Sequence, residues 1–539
     1  MYLRYLISLL FAFVSNVFST PIRGVNIGGW LVLEPWITPS LFYQFLGSRY
    51  KIGMDMYSFC EILGPVEANK QLKQHWQNWI TNEHIQTLKK EGINLLRVPI
   101  GDWMYIPYGP YDIEIHGMKC ADGAIDALDS LFVLAEQNDM QIMLDLHTLK
   151  GSQNGFDNSG ESRKIQISGN GKYFTHWNTR EANWIGSFDQ QSKEYTSFDY
   201  KSIEHSKNVL KEIIIKYSKY AQLYGIGILN EPWEYTPESF LKMFYQDILD
   251  IFDKYMSLDK VFIFHDSFRS NLWSNFEFRQ NESISRQILI DAHQYTAWNQ
   301  KYESFDKLLQ STKGWQKPPS TYNYVIGEWS LAIDNCEMWL NGFMDNVDGY
   351  PLFPCQYKKC PKYQDFRLEL LLSKYGPFGT GVSYPIENYE CPVSISFQRH
   401  FDKSMLEKEY AIQLFESKSA AFEKETAGWI FWNFRTESSS YQWDYLAYIE
   451  VKNGLIKERE QEQEQEQEQN KKQSYKYIRI WITISFVFLL TTILLLMIFL
   501  WDCNKKRQKQ NTLNTNIHYK PVTYKSVTES TPLIQSIKV

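Results

Sequence analysis

A closed barrel of eight parallel strands alternating with helices, a (β/α)8 TIM barrel with long loop insertions, is the fold this sequence predicts, followed by a single transmembrane helix near the C-terminus. Three observations predict it. Eight short β-rich runs recur between residues 21 and 450, and segments with apolar spacing near 3.6 lie between several of them. No GxGxxG or Walker loop opens any of those segments, which argues against an open nucleotide-binding sheet. Ile480–Leu500 carries no charge over 21 residues, enough at 1.5 Å per residue to cover roughly 30 Å of bilayer core.

The elements follow in order. Residues 1–20 place Arg4 before a short apolar run and small residues near 19–20, the layout of a cleaved secretory signal. The barrel, 21–453, takes its strands from 23–28, 93–100, 141–147, 225–230, 260–265, 287–294, 324–328 and 427–433. Each is a short run rich in β-branched, aliphatic or aromatic residues. Helical periodicity is clearest at 121–138, 205–221 and 237–256. Residues 454–479 include KEREQEQEQEQEQNKKQ, a low-complexity run without an apolar face, read as a stalk. The transmembrane helix is 480–501, and 502–539 form a polar tail.

The charge pattern fixes surroundings only in part. Lys471, Lys472, Lys476 and Arg479 precede the span, and Lys505, Lys506, Arg507 and Lys509 follow it, so flanking charge alone leaves orientation open. The N-terminal signal decides for a single-pass type I arrangement, with the barrel extracellular or luminal at the cell surface or in the endolysosomal system. The 38-residue polar tail excludes a lipid-anchor signal of the glycosylphosphatidylinositol kind. A net charge of −6 gives no basic footprint and argues against nucleic acid as a partner.

Seven cysteines are present. Cys503 follows the span, whereas Cys60, Cys120, Cys336, Cys355, Cys360 and Cys391 form an even luminal set suited to disulfides. Four of those fall within 336–391, which suggests a stapled insertion; no paired CxxC supports zinc. Asn281-Glu282-Ser283 is a glycosylation sequon.

In such a barrel, chemistry sits at the C-terminal strand ends. Those ends collect Arg97, His147, Asn230 with Glu231, His293 with Tyr295, Glu328 and Trp432. Each has a bland explanation alone, as an ion-pair partner, a satisfied core histidine or packing. Their convergence on one rim is harder to dismiss. Two glutamates from different sides of the mouth match what glycosidic cleavage needs: one carboxyl to protonate the leaving oxygen and one to face the anomeric carbon. The acid is expected to have its pKa raised by the neighbouring carboxylate. Sixteen per cent aromatic content suits sugar rings, though core packing accounts for most of it.

RGVNIGGWLVLEPWITPSLF (23–42), RVPIGDW (97–103), LDLHTLKGSQNGFDNSG (144–160), LNEPW (229–233), HQYTAW (293–298), GEWSLAIDNCEMWLNG (327–342) and FWNFRTE (431–437) occur in this order. Over nearly all of 22–450 the chain resembles fungal-type exo-β-1,3-glucanases of glycoside hydrolase family five. That resemblance implies Glu231 as acid/base and Glu328 as nucleophile. It further implies Glu34 as a ligand for hydroxyls of the terminal glucose, walled by Arg97, His147, Asn230, His293, Tyr295 and Trp432. Phe156 and Trp298 match an aromatic clamp on the next sugar, with Asn158 and Asn341 as polar contacts. The chain departs from the family at Trp36, at Trp298, at Thr148-Leu149-Lys150 and in the tryptophan of its Asn-Glu-Pro-Trp stretch.

The implied activity is release of glucose from the non-reducing ends of β-1,3-glucan, with no metal and no organic cofactor. β-Glucan transglycosylation in wall remodelling uses the same residues and stays open, as does an inactive glucan-binding surface protein. In the tail, ESTPLI (529–534) resembles an acidic dileucine signal, and YKPV (519–522) and YKSV (524–527) resemble tyrosine signals, all read by sorting adaptors.

Overall fold

A computed structural model describes residues 20–45, 53–162, 166–168, 173–175, 181–279, 286–298, 304–340 and 405–513. The signal segment 1–19, Asn281, Asn341, Cys355, Cys360, Cys391 and the tail motifs at 519–534 lie outside the described residues. The chain divides into two compact units, residues 1–455 and 456–539.

The first unit is a closed barrel of β1 (Ile22–Asn26), β2 (Leu95–Gly101), β3 (Gln141–Thr148), β4 (Leu223–Gly227), β5 (Val261–His265), β6 (Ile288–Gln294), β7 (Asn323–Trp329) and β8 (Gly428–Phe431). Each strand pairs in parallel with its sequence neighbours, and β1 closes on β8. All eight runs expected as strands form them, with boundaries shifted by a few residues.

Helices α1 (Met56–Trp79) and α2 (Asn82–Lys90) follow β1, α3 (Ala124–Gln137) follows β2, α4 (Tyr200–Tyr217) follows β3 and α5 (Glu238–Tyr255) follows β4. Then α6 (Phe305–Lys313) follows β6, α7 (Met405–Glu425) follows β7 and α8 (Tyr445–Leu513) follows β8. Among the described residues, only a short 3-10 turn, Ser270–Trp273, joins β5 to β6. Helix α1 is broken at Gly64 (φ 68°) before Pro65, since proline disfavours helical geometry in the residue before it. Asp55 and Thr81 cap α1 and α2 by accepting from their third backbone N–H groups. Cys60 of α1 is disulfide-bonded to Cys120, 60 residues on, ahead of α3, and Cys336 is also disulfide-bonded.

Period-two alternation splits the apolar residues into two sets. Ile22, Leu95, Met143, Val261, Ile263, Leu289, Val325 and Ile430 form a separate cluster drawn from seven of the eight strands, plugging the barrel interior. The alternate strand residues join the larger core beneath the helices. On the same inward face Arg97, Asp145 and Asp291 stand two residues beyond the plug on their strands, and Asn26 is in register with Arg97. A polar floor therefore lies directly on an apolar plug.

The second unit is helical backbone through Leu513, so the glutamine- and glutamate-rich stretch continues as helix. Within it, Tyr475–Gln508 is apolar enough to cross a membrane, and its side chains are exposed rather than packed in a core.

Candidate active site

The floor is organised by Arg97, which is fully buried. It stands third in β2 rather than at the C-terminal end expected for it; its length lets the guanidinium reach several neighbouring strands. Nη1 donates to Asn26 Oδ1 at 2.8 Å and to Glu328 Oε1 at 2.8 Å. Nη2 donates to Asn230 Oδ1 at 2.9 Å and lies 3.1 Å from Asp145 Oδ1 and 3.4 Å from Asp291 Oδ2. Burial pushes the Asp145 and Asp291 carboxyls up, but Arg97 and His147 carry Asp145, and His293 and Arg97 carry Asp291, below the usual carboxylate range.

Glu328 reaches this floor through an irregularity in β7. Val325 faces inward, so strict alternation would aim Gly327 and Trp329 inward as well. The register with β6 shifts instead, pairing Ile326 with Ala292 and Glu328 with His293. Gly327 is the extra residue. A bulge re-aims the residue after it, so Glu328 points into the barrel and Trp329 packs outward on Phe415 and Phe422 of α7. Glycine is required at 327 because a Cβ there would collide with the Asp291 carboxylate. Tyr295, directly after β6, donates its phenol to Glu328 Oε2 at 2.8 Å. Burial and the Glu328 charge hold that phenol neutral, well above its usual range.

Glu231 arrives from the loop after β4 with φ at 43°, a left-handed conformation rare for a non-glycine residue. Such strain concentrates at functional positions. His293 Nδ1 lies 2.6 Å from Glu231 Oε1 and 3.4 Å from Glu328 Oε2, and its Nε2 is 3.6 Å from Asp291 Oδ2. Burial opposes a charge on His293, but Glu328, Asp291 and Glu231 outweigh it, so the imidazole is held protonated well above its ordinary range.

Glu231 is correspondingly held low, with burial overcome by the His293 hydrogen bond and charge; this corrects the expectation that its pKa is raised. Glu328 is pushed up by burial and by the Glu231 charge, against His293 and Arg97. The proton of the cluster therefore rests on His293, one short hydrogen bond from Glu231.

Glu34, in the loop after β1, is buried with Oε2 accepting from Trp36 Nε1 at 3.0 Å, while Oε1 has no hydrogen-bond partner. Burial, then Asp157, Glu328 and Glu231, push its carboxyl well up. Trp36 meets Trp443, which packs on Tyr295 and Trp298, so one aromatic wall links Glu34 to the exposed Trp298. His147, in β3, bonds Asp145 Oδ2 at 2.7 Å and stacks on Trp432 with centroids 5.7 Å apart and planes 8° off parallel. Asn158 Nδ2 approaches Glu231 Oε2 at 3.5 Å. Phe156 precedes the 3-10 turn that carries Asn158.

The structure brings the expected strand-end set together, and adds Asn26, Asp145, Asp291, His265 and Trp443. A signal for two of these stands in the sequence: Asp145-Leu146-His147 and Asp291-Ala292-His293 repeat Asp-x-His on two strands. Period two puts both members on one face.

Glu231, His265 and His293 each bring a ligand atom within 4.8 Å of the others. The donor set does not suit a metal ion. His265 Nδ1 accepts from Ser267 N–H at 2.9 Å and burial keeps the ring neutral, so Nε2 carries the proton and offers no lone pair. His293 is itself cationic.

Two acidic side chains brought to one histidine at the C-terminal mouth of a (β/α)8 barrel, beside an aromatic wall, define the glycosidase class. Residues 63–344 match the cellulase family model, glycosyl hydrolase family 5, and the chain belongs to that family of retaining glycoside hydrolases. It is 29% identical over 476 residues to glucan 1,3-beta-glucosidase 2 of Candida albicans, covering 82% of this chain and 85% of that one. With glucan 1,3-beta-glucosidase of Lachancea kluyveri it is 30% identical over 437 residues, 78% of this chain and 84% of that one. The rutinosidase of Aspergillus niger shares the fold at 14% identity and a TM-score of 0.50, covering 81% of this chain and 98% of that structure.

Proposed function

We propose that this chain is a membrane-anchored retaining exo-β-1,3-glucosidase in which Glu328 is the nucleophile and Glu231 the acid/base. The observation that carries the reading is the bridging of both carboxylates by His293 Nδ1, at 2.6 and 3.4 Å. Those two distances cap the Glu231 Oε1 to Glu328 Oε2 separation at about 6 Å, short of the roughly 6.5–9.5 Å that inverting enzymes need to admit a water.

Glu328 attacks the anomeric carbon and forms an ester as the bond to the leaving oxygen breaks; that oxygen takes a proton from Glu231. Water then attacks the same carbon, gives its proton to Glu231 and frees Glu328, so configuration is retained. The proton reaches Glu231 from His293. As Glu328 is esterified it loses the charge that most strongly holds the imidazolium, which favours transfer of the His293 proton to Glu231. Arg97 and Tyr295 hold the two Glu328 oxygens before attack.

The terminal glucose fits against Trp432, with His147, Asn230 and Glu34 available to its hydroxyls. Phe156, Asn158, Trp298 and Asn341 serve the next sugar. The β-1,3 linkage and glucose product rest on the curated relatives, which are glucan 1,3-beta-glucosidases. Residues 1–20 act as signal and 480–501 as anchor, with the barrel, 21–453, luminal or extracellular, the stalk, 454–479, between them, and 502–539 a cytosolic tail open to sorting adaptors. Glucose release from laminarin, compared with cellulose, lichenan and mannan oligosaccharides, tests the substrate. The expected result is β-glucose as first product from laminarin. Products longer than the substrate at high oligosaccharide concentration would mark transfer instead, and no release from laminarin would overturn the assignment.

A further inference from the structure

Lys418 lies on α7, behind the barrel wall, and is buried to 2% exposure. A lysine in such a place ordinarily faces a carboxylate. Among the described residues none faces Lys418: its Nζ donates to the Ser330 carbonyl at 2.9 Å and the Thr296 hydroxyl at 3.3 Å, both neutral. It also lies 5.9 Å from the ring of Trp329. Burial alone acts on the ammonium, lowering it to about 7. Taking a cation out of water without a counter-charge is costly, so the position demands a reason.

The two acceptors belong to the segments that hold the nucleophile. Ser330 follows Glu328 by two residues, and Thr296 follows Tyr295, whose phenol donates to Glu328 Oε2 at 2.8 Å. Thr296 Oγ1 also donates to the Ala332 carbonyl at 2.6 Å, and Ala332 N–H donates to Ser330 Oγ at 3.2 Å. One ammonium thus fastens the end of β6 to the end of β7 from the helix side. The Tyr295–Glu328 bond joins the same strands from the site side.

We propose that Lys418 is a positioning residue for the nucleophile: by tying Thr296 to Ser330 it fixes the Tyr295 phenol against Glu328 Oε2. This rests on the reading of Glu328 as nucleophile. The role needs a donor long enough to reach two strand ends from a helix, and lysine supplies three N–H groups at the end of a four-carbon stem.

The test uses the full chain and 2,4-dinitrophenyl β-glucoside, whose leaving group needs no proton; kcat is taken for the first, dinitrophenol-releasing turnover in the pre-steady state, which reads attack by Glu328. Lys418→Met keeps the stem and removes the donors. Its kcat is expected to fall about tenfold with KM within about twofold, the pattern of a misplaced reacting group. In a Tyr295→Phe background the same change is expected to alter kcat less than about twofold, because the bond it positions is already gone. Thr296→Val, which removes one acceptor, is expected to reproduce the kinetic pattern and serves if Lys418→Met does not fold. Full kcat in folded Lys418→Met, or an equal loss in both backgrounds, would overturn the proposal. A wild-type chain inactive on every β-glucoside would instead sink the functional reading beneath it.

Discussion

Replacing Arg97 with leucine removes a cation that Asp145, Asp291 and Glu328 share, at 3.1, 3.4 and 2.8 Å. Leucine restores much of the volume, so the loss is electrostatic. Removing one partner of a buried pair costs about 3–5 kcal/mol. Three orphaned carboxylates do not triple that figure, because His147 still bonds Asp145 and His293 still faces Asp291. A loss of about 4 kcal/mol is expected, a large share of the roughly 5–15 kcal/mol that typically holds a domain folded.

The pH dependence carries the sharper test. In the wild type Asp145 and Asp291 are held low; their contribution is present above the unfolded value of about 3.9 and is lost as pH falls through the folded values. Without Arg97, burial dominates and the folded values rise. The variant then loses stability as pH climbs through the unfolded value toward the raised folded one. Urea midpoints at pH 4, 5.5 and 7 should show a deficit that is smallest at pH 4 and largest at pH 7. A deficit below about 1 kcal/mol at pH 7, or one that does not change with pH, would refute the reasoning.

Further outcomes are expected. His293 has its pKa raised, so its proton is kept below that raised value and lost as pH rises through it; kcat/KM should therefore fall only above pH 6.5, the ordinary histidine value. His293→Gln, which cannot store the proton, should move that limb toward acid, and an unmoved limb would assign it to another group. Glu231→Ala should slow laminarin hydrolysis by about 10²–10⁴-fold while sparing attack on the dinitrophenyl glucoside, read as a retained burst of dinitrophenol. Opening the Cys60–Cys120 bridge, which spans 60 residues, with serine at both positions should lower stability by about 4 kcal/mol in chemical denaturation. Alkaline carbonate should leave the full chain in the membrane pellet, whereas release to the supernatant would count against Tyr475–Gln508 as a span.

Much of this molecule was readable along the chain. Eight aliphatic and aromatic runs separated by helical periodicity specify a parallel barrel, since strands covered by helices must be apolar on both faces. His147, Glu231, His293, Tyr295, Glu328 and Trp432 were legible because such a barrel presents its strand ends at one mouth, whereas Arg97 lies deeper, third in β2. Asp145 and Asp291 are not legible in this way, because each reads as one acid within an apolar strand; the repeated Asp-x-His spacing alone hints at them. Lys418 gives no sign at all, being one of several lysines in a helix with ordinary polar spacing.

The sequence by itself determined the fold class and the apolar span, because these depend on residue type and local period, and its ordered motifs carried the resemblance that implied the family and singled out two glutamates. Tertiary structure decided where the charges rest. His293 is cationic and Glu231 held low because strands distant in sequence bring Asp291, Glu231 and Glu328 around one imidazole. It also decided which way Glu328 points, through an extra residue at Gly327 in the register between β6 and β7. Charge state and side-chain direction follow from distances between segments and from register, and neither quantity is carried by any single stretch of the chain.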